Sequence, residues 1–92
     1  SITHFTGGIT TMQTLQIVLK TIDDVKRFVT LTNKYNFPID LSNGKYKIDA
    51  KSIMGVFSLG TSQPVTLEID STAAQSREAD EFVKSVQEFV VE

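Results

Sequence analysis

The chain has 92 residues, with 9 basic against 11 acidic side chains and a formal net charge of −2. That length predicts one small domain, and with no cysteine it has neither disulfides nor thiolate metal sites to staple it. The near-neutral charge and scattered basic residues argue against nucleic-acid binding, which calls for a marked basic excess.

No apolar run approaches the ~20 residues that span a bilayer, and no basic-then-apolar leader opens the chain. A cytoplasmic protein with no membrane partner is the expectation. Ser1–Thr11 (SITHFTGGITT) is uncharged apart from His4 and rich in Thr and Gly. It reads as an N-terminal extension or a cloning remnant, with Ile2–Phe5 able to form a strand, and it leaves residues 12–92 as the domain.

Met12–Leu19 alternates, with apolar residues at Leu15, Ile17 and Leu19, and predicts a strand with one buried face. Thr21 followed by Asp24 resembles a capping box. Val25, Phe28, Val29 and Thr32 then recur at helical spacing, so an amphipathic helix runs to about Asn33–Asn36. Pro38 stops it, having no amide to donate and turning Phe37 away from helical geometry.

Ile39–Ser42 and Lys45–Ala50 predict two strands joined at Asn43-Gly44, a pair suited to the positive φ angles of a type I′ hairpin turn. Ser52 is placed to cap a short helix through Ile53-Met54-Gly55-Val56-Phe57, with a stop at Gly60. Val65–Ile69 alternates as another strand. A last helix begins at a Thr72/Gln75 box or one turn later at Ser76. Its apolar stripe is Ala79, Phe82, Val83, Val86, Phe89 and Val90, and its acidic first half suits the positive end of the helix dipole. The order strand, helix, strand, strand, short helix, strand, helix predicts an α+β fold, with helices on one face of a four-stranded, mostly antiparallel sheet.

Asn43-Gly44-Lys45, then Ala50-Lys51-Ser52-Ile53-Met54-Gly55-Val56 and Ser58-Leu59-Gly60, closely resemble the middle of HPr, the histidine-containing phosphocarrier of the bacterial sugar phosphotransferase system. The likeness extends more faintly from Met12 to the C-terminus. It implies an open-faced βαββαβα sandwich, a non-catalytic role, and protein partners: an HPr-type kinase, a transcription regulator or an enzyme of the phosphotransferase system. In that family the serine matching Ser52 is a regulatory phosphorylation site of Gram-positive members, and residues at Ile53, Met54 and Phe57 form an apolar docking patch. By the residues alone Ser52 is a helix cap, and the three apolar side chains are either a binding surface or the edge of the core.

The resemblance breaks at the other family site, a histidine at the start of the first helix followed by an arginine and a proline. Here the stretch is Lys20-Thr21-Ile22-Asp23-Asp24-Val25, without histidine or proline and with no arginine before Arg27. Two acids at that position oppose a phosphate, and read more simply as helix-capping charges. The expectation is an HPr relative without the usual phosphoryl-transfer site, acting through Ser52 phosphorylation and docking. Its alternatives are a carrier using His4 or an aspartate, and a purely structural interaction module. His4, the only histidine, has no spaced ligands around it, so no metal or other cofactor is expected.

Overall fold

Alternating burial sets the sheet. In a computed structural model, which describes the backbone of residues 2–4 and 10–91 and the side chains of 11–91, every second residue of Val65–Thr72 is buried. The strands are β1 (Ile2–His4), β2 (Thr10–Ile17), β3 (Ile39–Ser42), β4 (Lys47–Asp49) and β5 (Val65–Thr72), and the helices are α1 (Ile22–Thr32), α2 (Ile53–Leu59) and α3 (Ser76–Ser85). The sheet order is β1-β2-β5-β3-β4, and every pairing is antiparallel. Four of these strands give the expected α+β sandwich, and β1 adds a fifth at one edge. Phe5, included in the expected first strand, lies outside the described residues.

Register places Leu15, Leu67, Leu41 and Ile48 in one row across the sheet. Leu67 and Leu41 are buried, and together with Ile17, Ile39 and Ile69 they meet Val25, Phe28 and Val29 of α1, Val56 of α2 and Ala79 and Phe82 of α3. Phe28 packs tilted against Phe82 and edge-on against Phe89, the ring centroids 6.5 and 6.0 Å apart. Full burial of such a side chain contributes about 1.5–3 kcal/mol, so this cluster is what holds a cysteine-free domain together.

The opposite row, Thr14, Glu68, Asp40 and Asp49, lies on the uncovered face. There Lys47 Nζ sits 2.9 Å from Glu68 Oε1 and 3.8 Å from Asp40 Oδ2. Partial burial pushes the Asp40 carboxyl above its ordinary value. Lys47 opposes that shift, and the like charges of Asp49, Glu68 and Asp70 add to it.

Several boundaries differ from the sequence reading. β2 runs Thr10–Ile17 and β5 continues to Thr72, because the two strands pair along all eight residues. The last helix ends at Ser85 and is followed by a 3-10 turn, Gln87–Phe89, since Val90 must reach a bridge with Ile17. Val86 and Phe89 stay buried all the same, so a stripe drawn at helical spacing is also met by a helix that tightens into a 3-10 turn.

The hairpin turn is centred one residue later than expected. Among the described non-glycine residues only Ser62 has a positive φ, so Asn43 does not take the conformation a type I′ turn requires. Instead Asn43 and Tyr46 flank the turn, with the Asn43 N–H donating to the Tyr46 carbonyl at 3.1 Å. Gly44, at φ +94°, takes the first central place. The reason is the Asn43 side chain: its Oδ1 accepts from the Lys45 and Tyr46 amides at 3.0 and 2.9 Å and does the work of a main-chain carbonyl. β4 is correspondingly short, beginning at Lys47 rather than Lys45.

Candidate functional site

Two helix starts carry the residues singled out from the sequence. α1 and α2 pack against each other, with the start of each near the end of the other. At the C-terminal end of α1, Thr32 Oγ1 donates to the Ala50 carbonyl at 3.1 Å, and Asn33 Nδ2 to the Lys51 carbonyl at 3.1 Å. These bonds fix the segment leading into α2. Past α2, the Ser62 N–H donates to the Leu19 carbonyl at 2.9 Å, tying that loop beside the start of α1.

At the start of α1, Thr21 Oγ1 accepts from the Asp24 N–H at 3.0 Å. Asp24 Oδ2 reaches back to the Lys20 N–H at 2.9 Å, one residue earlier than in the standard capping box. The other carboxylate oxygen, Oδ1, lies 2.7 Å from Arg27 Nη2, and Arg27 Nη1 lies 2.7 Å from Glu88 Oε1. The guanidinium also sits over the Phe89 ring, 5.5 Å from its centroid. The Lys20 amide, followed by the Arg27 guanidinium, holds the Asp24 carboxyl below its usual range, while partial desolvation opposes them. The hydrogen bonds that Arg27 donates to Asp24 and Glu88 in turn hold its pKa above the usual value. The amide just ahead of the Thr21 cap and the nearest arginine are therefore both engaged by the chain's own carboxylates.

The start of α2 has a cap but no such filling. Ser52 is exposed, its Oγ accepts from the Gly55 N–H at 3.2 Å, and its carbonyl accepts from Val56 at 3.0 Å. No acid lies in the first turn; the nearest carboxylate, Asp49, accepts from the Lys51 N–H at 2.8 Å just ahead of the cap, and the amides before Gly55 have no carbonyl partner within the helix. Gly55 lets the helix lie close on β4: a Cβ there would stand 3.4 Å from the Cβ of Ile48. Val56 turns inward and is buried, whereas Ile53, Met54 and Phe57 are 38, 76 and 36% exposed. The three expected docking residues thus share the exposed surface of one short helix with Ser52.

A model of the family described as the phosphotransferase system HPr component phosphorylation site matches residues 24–92. The chain belongs to the HPr family. A crystal structure of HPr-C-His from Thermoanaerobacter tengcongensis superposes with a TM-score of 0.62, at 26% identity, over 83% of this chain and 91% of the other. A search of curated proteins finds no match. HPr proteins carry phosphoryl groups and are not catalysts, and this chain has the family's open-faced α+β fold.

The family match begins at Asp24, within the stretch Lys20–Val25 at the start of α1. Here that stretch holds Thr21, Ile22 and Asp23, with Ile22 59% exposed. His4 belongs to β1 at the sheet edge, and its side chain lies outside the described residues. Among the described residues no group of three or more His, Cys, Asp or Glu is arranged to hold a metal, and no helix is long and apolar enough to cross a membrane. Glu88 and Phe89 are the partners that sequence reading missed. Asp24 and Arg27 are three apart on one helix, but Glu88 is 61 residues from Arg27 and no spacing rule joins them.

Proposed function

We propose that this HPr-family chain is a regulatory relative that works through Ser52 and protein docking rather than through a histidine phosphoryl relay. The observation that carries this reading is the contrast between its two helix starts. An added phosphate at α1 would meet Asp23 and Asp24 and an arginine already shared by two carboxylates. An added phosphate on Ser52 would meet the positive end of a helix with no acid in its first turn, the nearby Asp49 carboxylate being engaged by the Lys51 amide.

Phosphoserine carries about −1.5 to −2 charges at neutral pH, so modification changes the surface beside Ile53, Met54 and Phe57 without entering the core. Those three side chains are the docking patch of this reading. An HPr-type kinase is the partner that modifies Ser52, and a transcription regulator or a phosphotransferase enzyme is the partner that reads it. Such partners place the protein in the cytoplasm, with residues 12–92 as the HPr-like domain and 1–11 as an extension.

Incubation with an HPr-type kinase and ATP, followed by intact-mass measurement, tests the reading. The wild-type chain should gain one phosphate and Ser52→Ala none. No gain, or a gain unchanged by Ser52→Ala, would remove the regulatory role.

A further inference from the structure

The outer edge of β4 is open, and the bonds on its inner side decide which residues face outward. The Asn43 N–H donates to the Tyr46 carbonyl at 3.1 Å, and the Ala50 N–H to the Ile39 carbonyl at 2.8 Å. With Leu41 opposite Ile48, the bonded pairs fall on every second residue. Ile48 therefore turns its main chain toward β3, and Lys47 and Asp49 turn theirs away. β4 pairs with β3 alone. Among the described residues only one of those outward groups is engaged, the Asp49 carbonyl, which accepts from the Ser52 N–H at 3.1 Å.

The side chains along this edge carry opposite charges two residues apart. Lys47 and Asp49 are exposed on the uncovered face of the sheet, and Ile48 lies half-buried between them on the helix side. Asp49 stands directly opposite Asp40, a like-charge pair that costs stability. Among the described residues no lysine or arginine lies within ion-pair distance of Asp49. A lysine alone on an edge strand repels a second strand. A lysine and an aspartate at this spacing repel one only in the wrong register.

We propose that β4 pairs antiparallel with β4 of a second copy of this chain, the two-fold axis passing beside Ile48, so that two sheets join into one. In that register Lys47 faces Asp49 of the second copy, and the two exchange main-chain bonds in both directions. The same pairing brings an ammonium to the carboxylate that Asp40 leaves uncompensated. A slip that centres the axis on Lys47 or on Asp49 sets like charges face to face, so charge selects the register. On the helix side Ile48 meets Ile48 of the second copy. Tyr46, 65% exposed, is then its diagonal neighbour across the axis, beside a cleft of about 250 Å³ lined by Tyr46, Ile48, Ser58 and Leu59. The contact uses the same patch on both copies, as closed two-fold pairs do.

This pairing does not rest on the role assigned to Ser52. Sedimentation velocity on the full chain from micromolar to millimolar concentration, with amide hydrogen exchange followed by NMR, tests it. The sedimenting mass should rise toward that of two chains. The Lys47 and Asp49 amides should exchange several-fold more slowly at high concentration, while the Met54 amide on α2 keeps its rate. Asp49→Lys and Lys47→Asp, each with its fold verified by circular dichroism, should stay monomeric alone and associate when mixed. A wild-type chain monomeric at every concentration, association unchanged by Asp49→Lys, or a mixture of the two variants that does not associate would overturn the proposal.

Discussion

The starts of α1 and α2 are built from the same device and finished differently. Each has a hydroxyl accepting from an amide three residues on, at 3.0 Å for Thr21 and 3.2 Å for Ser52. At α1 the chain then supplies its own anion: Asp24 takes the Lys20 amide and Arg27, and Glu88 takes the remaining arm of the guanidinium. At α2 the first turn holds no acid and, among the described residues, no arginine is engaged there; the nearest carboxylate, Asp49, takes the Lys51 amide ahead of the cap. A helix start that contains its counter-charge is a structural joint, whereas one left open can receive a charge from outside.

The largest effect expected from disturbing this contrast is at Ser52 itself. Ser52→Ala should abolish kinase-dependent phosphorylation while costing about 1 kcal/mol of stability as a lost cap, measurable by chemical denaturation alongside the mass assay. A stability loss large enough to unfold the chain would mean that Ser52 belongs to the architecture more than to a switch.

Next come the apolar neighbours. Truncating Phe57 or Met54 to alanine should weaken partner binding by about 2 kcal/mol each if they are central anchors, as read by calorimetry. Because both are exposed, the thermal midpoint should hardly move. Binding left intact with a lowered midpoint would assign them to the core edge instead.

Acid titration sharpens the α1 side. The Asp24 pKa is lowered from 3.8 in the folded chain, so its contribution to stability is present above that ordinary value and is lost as pH falls through the folded pKa. Asp24→Asn should therefore lower stability near neutral pH and flatten the acid limb of the stability curve. Asp40 has the opposite sign, since its pKa is raised from 3.8. Its contribution is present below 3.8 and is lost as pH rises through the folded value. Asp40→Asn should then steepen the net loss of stability toward acid pH, the reverse of Asp24→Asn. Parallel curves for the two variants would contradict the two environments.

The smallest expected effect is communication between the two starts. Ser52 lies near the C-terminal end of α1 and Asp24 at its first turn, separated by much of a helix roughly 16 Å long. Screening acts over about 8 Å at physiological salt. Ser52→Asp should leave the NMR titration of Asp24 unchanged, and a shifted titration would show the two sites to be coupled.

Much of this was legible before any coordinates. Local signals were enough for Thr21, Ser52 and Gly60, because caps and stops act within one helical turn, and β3 was read to its exact ends. The alternation of Val65–Ile69 gave a strand but not its continuation, since Asp70–Thr72 are held by pairing with Thr10–Met12 rather than by hydrophobicity. The shifted hairpin turn depends on where one asparagine carbonyl points. The Arg27–Glu88 pair joins residues far apart in sequence through the packing of the chain's last turn onto α1. In the candidate site, therefore, the open helix start was readable from Ser52 and its neighbours, while the means by which the other start is closed was only half visible.

One labelling measurement tests the central contrast most directly. The chain is exposed in parallel to an HPr-type kinase with ATP and to phosphoenolpyruvate with the first enzyme of the phosphotransferase system, and phosphate is mapped and sorted by acid stability. The account predicts acid-stable phosphate on Ser52 from the first donor and none from the second. Acid-labile phosphate at the start of α1, or anywhere else after the second donor, would contradict it.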